Sequence, residues 1–430
     1  MEALYHYLWK HRMFGSVIPA TSGEEVEILD PGLHNRDAGP DFLAALIKTN
    51  GMEWGGNVEI HVKASDWKKH GHHTDPAYDS VILHVVGVND AGIKRTDGTD
   101  ILQVCVAPPA GFYSRYLMLT EEIDSPACVA WLNAIPDLNR EDWISSLGVE
   151  RLHDKAAYMK SILENTNGDW QATIFILIAR ALGFGLNGVP FEMLAKSLPL
   201  NFVMRHRDNP MQIEALVFGQ AGMLEGGYYA YDEYYMQLCR EYDFLKKKYS
   251  LAPLSTDIWK YSRTRPQNFP HRRLAILSSM LADGMQMYSL ILEAKGNYDR
   301  LIDSLDYAAS EYWHLHSKFG ELPSESPLPV RLSRSSKEII LINVMAPFYF
   351  AYGSLTGDME LAEKGIDLLN GINAEMNSIV AFWNSHGLKS VSAFDSQALI
   401  HLRRNYCDKS RCLECRFGHY LLRQSMHSSY

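Results

Sequence analysis

The pattern of hydrophobic and polar positions divides the chain into a strand-rich beginning and a long helical remainder. Apolar residues at roughly helical spacing (Leu4, Tyr7, Leu8 and Met13) predict an opening helix. Short apolar or alternating runs, separated by turn residues, then predict strands at 25–29, 42–48, 57–62, 81–88 and 101–106. With an irregular insert at 65–79 between the third and fourth strands, this order predicts a mixed α/β sheet domain over residues 1–110.

From residue 111 onward, apolar side chains recur every three or four residues, which is typical of helices. The helical segments predicted in this way are 143–163, 170–182, 212–224, 228–248, 272–292 and 361–383. We therefore expect an all-α domain over 111–400, followed by a short tail over 401–430. The predicted fold class is α+β.

An uncharged run at 339–357 is nearly long enough to span a bilayer. It contains Asn343 and Pro347 and follows a charged stretch, so we predict a buried core helix that breaks near Pro347, and no membrane span. The first residues lack the long apolar run of a signal peptide. A cytoplasmic location is therefore expected.

Composition narrows the classes of function. The 430 residues are 47% hydrophobic, which is enough for buried cores and excludes global disorder. The formal net charge of −10 disfavours binding to nucleic acid through bulk charge, so such binding would need a local basic surface. Six cysteines in a chain of this length do not make a disulfide scaffold.

The sharpest chemistry lies on two neighbouring predicted strands. Asp41 opens one strand, and the period of two places Glu59, His61 and Lys63 on one face of the next. Because adjacent carboxylates repel one another unless a cation lies between them, Asp41 and Glu59 are predicted to hold Mg²⁺ or Mn²⁺. His61 or Lys63 would then polarise the attacking water or the phosphate, and Glu27 is a further candidate ligand.

The order Pro40-Asp41, a gap, then Glu59-Ile60-His61 resembles the signature of the PD-(D/E)xK nuclease superfamily. The resemblance covers about the first 90–110 residues, and it departs from the signature where His61 replaces the lysine. Lys63 lies on the same face, one pleat further along. The resemblance implies a metal-dependent nuclease or phosphodiesterase that acts on DNA or RNA. The alternative is a non-catalytic binding or scaffold protein whose nuclease-like core has lost its lysine.

The chain as a whole also resembles an uncharacterised bacterial family, a domain of unknown function. The stretches that carry this resemblance lie at 39–42 (GPDF), 58–67 (VEIHVKASDW), 70–86 (HGHHTDPAYDSVILHVV), 265–275 (RPQNFPHRRLA) and 406–418 (YCDKSRCLECRFG). They are spread over nearly the full length. The family implies no established activity.

Histidines crowd the segment that follows the carboxylate strand. His70, His72 and His73 lie beside Asp75, and His84 lies in the next predicted strand. Because imidazole is a common metal ligand, His84 is a candidate ligand. A second hypothesis is therefore a His/Asp metallohydrolase of small substrates, which requires two of these histidines near Asp41 or Glu59. Otherwise His70–His73 form a polar surface loop, and His84 is a hydrogen-bonded core residue.

Three of the six cysteines lie close together near the end of the chain. Cys407, Cys412 and Cys415 have the spacing C-x4-C-x2-C, which favours a metal over disulfides. His419 would be the fourth ligand of a Zn²⁺ ion. Alternatively a remote cysteine (Cys105, Cys128 or Cys239) completes a four-cysteine site for zinc or an iron–sulfur cluster. Some PD-(D/E)xK nucleases carry a cluster on a C-terminal cysteine triplet, which this order resembles.

Arginines are concentrated in two loops of the helical region and in the tail, which carries six Lys/Arg against two Asp/Glu. Arginines converging on one face would bind the phosphates of DNA or RNA, whereas isolated ones would pair with the protein's own carboxylates. The candidate phosphate contacts are Arg265, Arg272, Arg273, Arg334, Arg403 and Arg404.

Overall fold

The computed structural model describes residues 1–430 apart from 36, 121–125, 227, 263, 322 and 424–430. The chain forms two compact units. Unit 1 comprises Met1–Trp143 together with Arg403–Tyr430, and unit 2 comprises Ile144–Leu402. The described part of the tail therefore belongs to the same unit as the sheet, and unit 2 is inserted between the two parts of unit 1. Residues 424–430 of the predicted tail lie outside the described part.

Unit 1 is built around one mixed sheet that follows helix α1 (Glu2–Lys10). Within the described residues it has seven strands: β1 (Val17–Pro19), β2 (Glu25–Asp30), β3 (Leu33–His34), β4 (Phe42–Thr49), β5 (Met52–Lys63), β6 (Val81–Val88) and β7 (Leu102–Cys105). The spatial order is β1-β2-β4-β5-β6-β7, with β3 paired to β4. Pairing is antiparallel up to β5, whereas β5, β6 and β7 are parallel. All five predicted strands are present. The sequence pattern did not predict β1 and β3, because these strands are too short to show alternation.

The two faces of the central strands have different partners. Alternate residues such as Val58, Ile60 and Leu83 join an apolar core that also contains Tyr5 and Trp9 of α1. Successive side chains of a strand point to opposite faces, so Glu59, His61 and His84 emerge on the other face. All three are buried there. The sheet thus positions a set of polar groups out of water.

The connection from β5 to β6 covers this polar face. It contains the short helix α2 (Asp66–Lys69) and two single-turn 3₁₀ helices, His72–Thr74 and Pro76–Tyr78. Trp67 of α2 is fully buried and packs with Val81, Ile93 and Ile101. Gly71 adopts a left-handed φ of 81° between α2 and the first 3₁₀ turn. This reversal of the chain returns His72 towards the sheet, where it is buried.

The rest of unit 1 is helical. It contains α3 (Phe112–Thr120), a 3₁₀ helix (Ala127–Ala134), the first part of α4 (Asp137–Asn165), a π-helical turn (Leu402–Cys407) and a last helix (Arg416–Arg423). Leu402, the first residue of the π-helical turn, still belongs to unit 2. The last helix packs against α3 and the 3₁₀ helix. Its Leu421 and Leu422 share an apolar cluster with Leu4 and Leu8 of α1. Helix α1 therefore contacts both the sheet and the helix Arg416–Arg423.

Unit 2 is all helical apart from isolated bridges in the part that the structure describes. Beyond α4, its helices are α5 (Trp170–Leu182), α6 (Phe184–Ser197), α7 (Leu200–Met204), α8 (Pro210–Gln220), α9 (Glu233–Tyr249), α10 (Pro270–Ala282), α11 (Met287–Ala294), α12 (Tyr298–Asp303), α13 (Arg334–Ile340), α14 (Ala346–Thr356), α15 (Met359–Gly371), α16 (Ser378–Ser385) and α17 (Ala393–His401), and the last helix of unit 1 is α18. Short 3₁₀ helices lie at Thr256–Ile258, Pro266–Asn268 and Glu311–His314.

Two predicted helices of unit 2 are wrong in extent. The segment 272–292 is divided between α10 and α11, which meet at 81° around Gly284, a residue with a φ of +85°. The segment 361–383 is divided between α15 and α16, and Asn373 forms a bridge with Ser392 after the first of them ends. Apolar periodicity continues through both breaks, so the pattern alone did not reveal them.

The apolar run at 339–357 belongs to a buried helix, as predicted, but the predicted break near Pro347 is wrong because the helix continues through that residue. A π-helical turn (Leu341–Met345) joins α13 to α14, and Pro347 lies in the first turn of α14, where its missing N–H is tolerated. Within the described residues, the resulting helix Arg334–Thr356 is long and apolar enough to cross a membrane, and 61% of its most apolar window is buried inside the protein. The bent pair α10–α11 passes the same test when it is counted as one span.

Candidate metal centre

The two predicted carboxylates meet at the start of β4. Phe42 pairs with Val58, so Asp41 lies opposite Glu59. The backbone N–H of Asp41 donates to Oε2 of Glu59 over 3.1 Å, and the N–H of Ile60 donates to Oδ2 of Asp41 over 2.9 Å. Each carboxylate is therefore anchored by the backbone of the other strand, as the spacing of Asp41 and Glu59 suggested.

Two histidines lie beside the remaining oxygen of Glu59, and a third contacts one of them. Its Oε1 lies 3.2 Å from Nε2 of His72 and 3.6 Å from Nε2 of His61. Nε2 of His61 lies 3.2 Å from Nδ1 of His70. Each of the three rings offers a nitrogen within 4.8 Å of those of the other two. We call Glu59, His61, His70 and His72 the histidine cluster.

These separations match the spacing of ligands around one ion. With metal–nitrogen bonds of ~2.0–2.1 Å, ligand atoms at the corners of a tetrahedron lie about 3.3 Å apart. Nε2 of His72 is buried and has no hydrogen-bond partner among the described residues, although Glu59 is only 3.2 Å away. A buried nitrogen without a partner is costly. A cation between His72 and Glu59 would remove that cost, so the residues fit a metal ion.

Burial sets the protonation of these groups in the absence of a cation. Burial, and then the nearby charge of Asp41, raise the pKa of Glu59 to about 9. Burial, and then His84, His72 and His70, lower the pKa of His61 to about 2, and burial also lowers the pKa of His72. At neutral pH Glu59 is thus protonated beside neutral His61 and His72, and a divalent ion would displace that proton.

A chain of hydrogen bonds fixes which nitrogen of His61 faces the cluster. Nε2 of Gln103 donates to Oδ1 of Asn89 over 2.6 Å, so its Oε1 accepts from Nδ1 of His84 over 3.0 Å. Neutral His84 then accepts from Nδ1 of His61 through its own Nε2, over 2.8 Å. The lone pair of His61 consequently lies on Nε2, which faces Glu59 and His70.

Disruption of this series of hydrogen bonds should weaken metal binding without removing a metal ligand. We expect Gln103→Leu to lower metal affinity by about 10–100-fold, because His84 loses the acceptor that fixes its tautomer. Gln103→Glu retains an oxygen acceptor and should restore most of the affinity. Competition with a chromophoric chelator measures the affinity, and thermal unfolding monitors the fold. Equal affinity of Gln103→Leu and wild type would contradict the positioning role.

A second polar group lies beside the cluster. Oδ2 of Asp41 is 3.2 Å from Nε2 of His6, and Glu2, His6 and Asp41 offer ligand atoms within 4.8 Å of one another. Glu2 and His6 are four residues apart on α1, so they share one face of that helix. Burial, and then Asp41, raise the pKa of Glu2. Asp41 therefore contacts His6 on one side and the backbone of β5 on the other.

The other residues that were predicted for the N-terminal site lie outside the histidine cluster. One ring nitrogen of His84 is hydrogen-bonded to His61 and the other to Gln103, so His84 orients His61 and is not itself a member of the histidine cluster. Lys63 is exposed, and its backbone N–H donates to Asp66 over 3.3 Å. Glu27 lies on β2, opposite Lys48 of β4. His73 is exposed.

The predicted phosphate-binding arginines differ in exposure. Arg272 is 2% exposed and donates to the carbonyls of Trp313, His316 and Pro329. Arg273 is 4% exposed, donates to Asn268 and Ser336, and lies over the ring of Phe184. These two guanidinium groups make internal contacts and offer no phosphate-binding surface. The others are at least partly exposed: Arg265, Arg334, Arg403 and Arg404.

Two of these four arginines, Arg334 and Arg403, donate hydrogen bonds to other side chains of the protein. Nε of Arg334 donates to the hydroxyl of Tyr298 over 3.0 Å, and Nε of Arg403 donates to Asp408 over 2.6 Å. Arg265 and Arg404 are exposed. Arg265 and Arg334 belong to unit 2, whereas Arg403 and Arg404 belong to unit 1.

His6, Glu2 and Gln103 were not predicted as site residues from the sequence. The spacing of Glu2 and His6 by one helical turn was a usable signal, but nothing in the sequence indicated that α1 reaches Asp41. Gln103 has the alternation expected for the polar face of β7, since Val104 beside it joins the apolar core. The buried position of His72 depends on the reversal at Gly71, which the sequence alone did not place.

The fold and the site define an α+β protein with a cluster of imidazoles and carboxylates on the buried polar face of a mixed sheet. The chain belongs to the family described as protein of unknown function (DUF2851), whose model matches residues 2–378. The matched range contains the whole histidine cluster and ends before Cys407. No curated protein and no solved structure matches the chain.

Proposed function

We propose that the protein is a metal-dependent hydrolase that cleaves phosphodiester bonds in nucleic acid. The observation that carries the proposal is the convergence of Glu59, His61, His70 and His72 at ligand spacing, next to Asp41. Two anchored carboxylates on neighbouring strands are the arrangement that the resemblance to PD-(D/E)xK nucleases implies. Asp41 and Glu59 are therefore the residues through which the proposed metal site resembles that of a phosphodiester hydrolase.

The ligand set favours a transition metal over Mg²⁺. Imidazoles suit Zn²⁺ and related ions, whereas Mg²⁺ prefers oxygen ligands and retains several waters. We therefore propose Zn²⁺ or Mn²⁺, held by Glu59, His61, His70 and His72. If water or substrate were added as a further ligand beyond these four residues, such an ion would act as a Lewis acid towards the substrate and increase the acidity of the bound water.

His6 and Asp41 supply a proton acceptor beside this site. His6 is partly exposed, and its Nε2 is 3.2 Å from the Asp41 carboxylate, which would stabilise the imidazolium formed when His6 takes a proton from water. Asp41 keeps its position because it accepts a hydrogen bond from Ile60. His70 is exposed while His61 and His72 are buried. Substrate would therefore approach from the side of His6 and His70.

A second candidate is a metallohydrolase of small esters or amides. It is favoured by the position of His72 at ligand distance from Glu59, and by the burial of Arg272 and Arg273, which removes two predicted phosphate contacts. The same residues would bind the ion in both cases. The two candidates differ only in the substrate.

Cleavage assays with defined ions test the proposal. Metal-stripped protein is reloaded with Zn²⁺, Mn²⁺ or Mg²⁺ and incubated with single- and double-stranded DNA and RNA, and with small phosphate and carboxylate esters. We expect cleavage of at least one nucleic acid, and a loss of about 100-fold or more in Asp41→Ala. Asp37→Ala, an exposed acid in the preceding loop, is the matched control. Cleavage of small esters alone would favour the second candidate, and no cleavage at all would favour a scaffold.

A further inference from the structure

Cysteines from two distant segments meet in unit 1. Cys128 lies in the 3₁₀ helix Ala127–Ala134, and Cys412 lies in the tail just before α18. Both pack against the same apolar cluster, which is formed by α1, α3 and α18. Helix α18 packs directly against the 3₁₀ helix that carries Cys128. Among the three remote cysteines, the fold therefore places Cys128 on the apolar cluster that Cys412 also contacts.

The tail forms a compact loop around its three cysteines. Cys407 ends a π-helical turn, and its carbonyl accepts from the N–H of Ser410 over 3.0 Å. The N–H of Cys415 donates to the carbonyl of Cys412 over 3.3 Å. Gly418 lies against that carbonyl so closely that a Cβ atom would overlap it. The loop thus holds Cys412 and Cys415 on one turn, with Cys407 just before it.

Burial and neighbouring thiols raise the pKa values of Cys407 and Cys128. Burial, followed by Cys128, Cys415 and Cys412, raises the pKa of Cys407. Burial, followed by Cys415 and Cys412, raises the pKa of Cys128 to about 12. All six cysteines lie in the described part of the chain, and all are reduced thiols. Sγ of Cys412 donates to the carbonyl of Leu119 over 3.2 Å, and neither Cys412 nor the other three thiols has a role in the proposed hydrolysis.

We propose that Cys128, Cys407, Cys412 and Cys415 form a tetrathiolate site for a soft metal centre, either one Zn²⁺ ion or an iron–sulfur cluster. Both centres are bound by four cysteine thiolates, and a Cys-x2-Cys step lets two thiolates reach one centre. His419 is not needed as the fourth ligand. Its Nδ1 is 2.5 Å from the hydroxyl of Tyr7, and its ring packs against His11.

Such a centre would join the two parts of unit 1. All of unit 2 lies between Cys128 and Cys407 in the sequence, so the centre would close unit 1 across this insertion. Closing a long loop lowers the entropy of the unfolded chain, and metal binding contributes to folding. The same apolar cluster includes Leu4 and Leu8 of α1, the helix that carries His6. The role proposed for the centre is therefore structural.

Metal analysis of single variants tests the assignment. The full-length protein is purified without added metal under anaerobic conditions, and zinc, iron and acid-labile sulfide are measured per chain. To separate this site from the histidine cluster, every variant also carries Glu59→Gln. We expect either one zinc or iron with an equal amount of sulfide, lost in Cys128→Ser and Cys412→Ser but retained in Cys105→Ser and His419→Gln. Retention of the centre in Cys128→Ser, or its loss in His419→Gln, would overturn the assignment.

A second measurement uses the unaltered cysteines, so it does not depend on the folding of a variant. The protein is alkylated with and without prior chelation, and the modified cysteines are identified by mass spectrometry. We expect chelation to increase alkylation at all four proposed ligands together and to leave Cys105 unchanged. Increased alkylation at the tail triplet but not at Cys128 would refute the four-cysteine site. Absence of any effect, together with absence of zinc and iron, would refute the metal site altogether.

Discussion

Glu59→Gln is expected to remove the metal ion of the histidine cluster and with it the hydrolytic activity. Glutamine has the size of glutamate, but it presents a neutral amide where the ion needs a negative oxygen beside three neutral imidazoles. Loss of hydrogen-bonding groups around metal ligands lowers affinity by about 10–100-fold, so loss of the only charged ligand should exceed about 100-fold. Isothermal titration with Zn²⁺ and Mn²⁺ measures the affinity, and the cleavage assay measures the activity.

Glu53→Gln is the matched control for this prediction, because Glu53 lies on the same strand and is exposed. It should bind metal and cleave substrate as the wild type does. Glu59→Gln should keep its fold, since burial already favours the protonated, neutral form of Glu59. Wild-type metal affinity in Glu59→Gln would rule out the histidine cluster as the metal site. Normal affinity with lost activity would assign Glu59 a catalytic role instead.

Metal affinity should rise steeply with pH between about 7 and 9. Burial, and then Asp41, raise the pKa of Glu59 to about 9, so the metal-free protein carries a proton there at pH 7 that the ion must displace. His61 and His72, whose pKa values are lowered by burial, are already neutral. The apparent dissociation constant should therefore fall about tenfold per pH unit up to pH 9 and then level off. Calorimetry in buffers of different ionisation enthalpy should show the release of about one proton per ion at pH 7.

The sign of the effect on stability follows from the same proton. Between the ordinary pKa of 4.5 and about 9, the folded metal-free protein keeps a proton that the unfolded chain releases, so its free energy of unfolding falls as pH rises. His61 and His84 have lowered pKa values of about 2 and about 4. Above pH 6.5 both are therefore neutral in the folded protein and in the unfolded chain, and they add no further pH dependence to the free energy of unfolding. The melting temperature of metal-free protein should fall from pH 7 to 9 in the wild type, but less so in Glu59→Gln. Equal slopes, and affinity independent of pH, would show that Glu59 is ionised before metal binds.

Strand positions and the carboxylate pair were predictable because both depend on local geometry. The alternation of residues in β5 requires Glu59 and His61 to leave the sheet on the face opposite Val58 and Ile60. A short connection between β4 and β5 then brings Asp41 opposite Glu59. The family assignment was predictable for another reason, since the motifs that indicate it are spread along the chain, and the family model spans residues 2–378.

The burial of Arg272 and Arg273 could not be predicted from the local sequence. Arg272 and Arg273 open a helix after a proline-rich loop, which resembles an exposed basic surface. Arg272 is buried because carbonyls from Trp313, His316 and Pro329 converge on it. Those acceptors are more than forty residues away in sequence and belong to backbone rather than to acidic side chains. No charge pattern could have indicated them.

The sequence by itself determined the α+β class, the faces of the strands, the meeting of Asp41 with Glu59 and the cysteine triplet, because each follows from periodicity or short spacing. Only the tertiary structure decided that His72 returns to Glu59 after Gly71, that α1 brings His6 to Asp41, and that Cys128 packs against the same apolar cluster as Cys412. These contacts depend on how separate elements pack. Packing is set by the shape and burial of whole surfaces, which single positions along a chain do not encode.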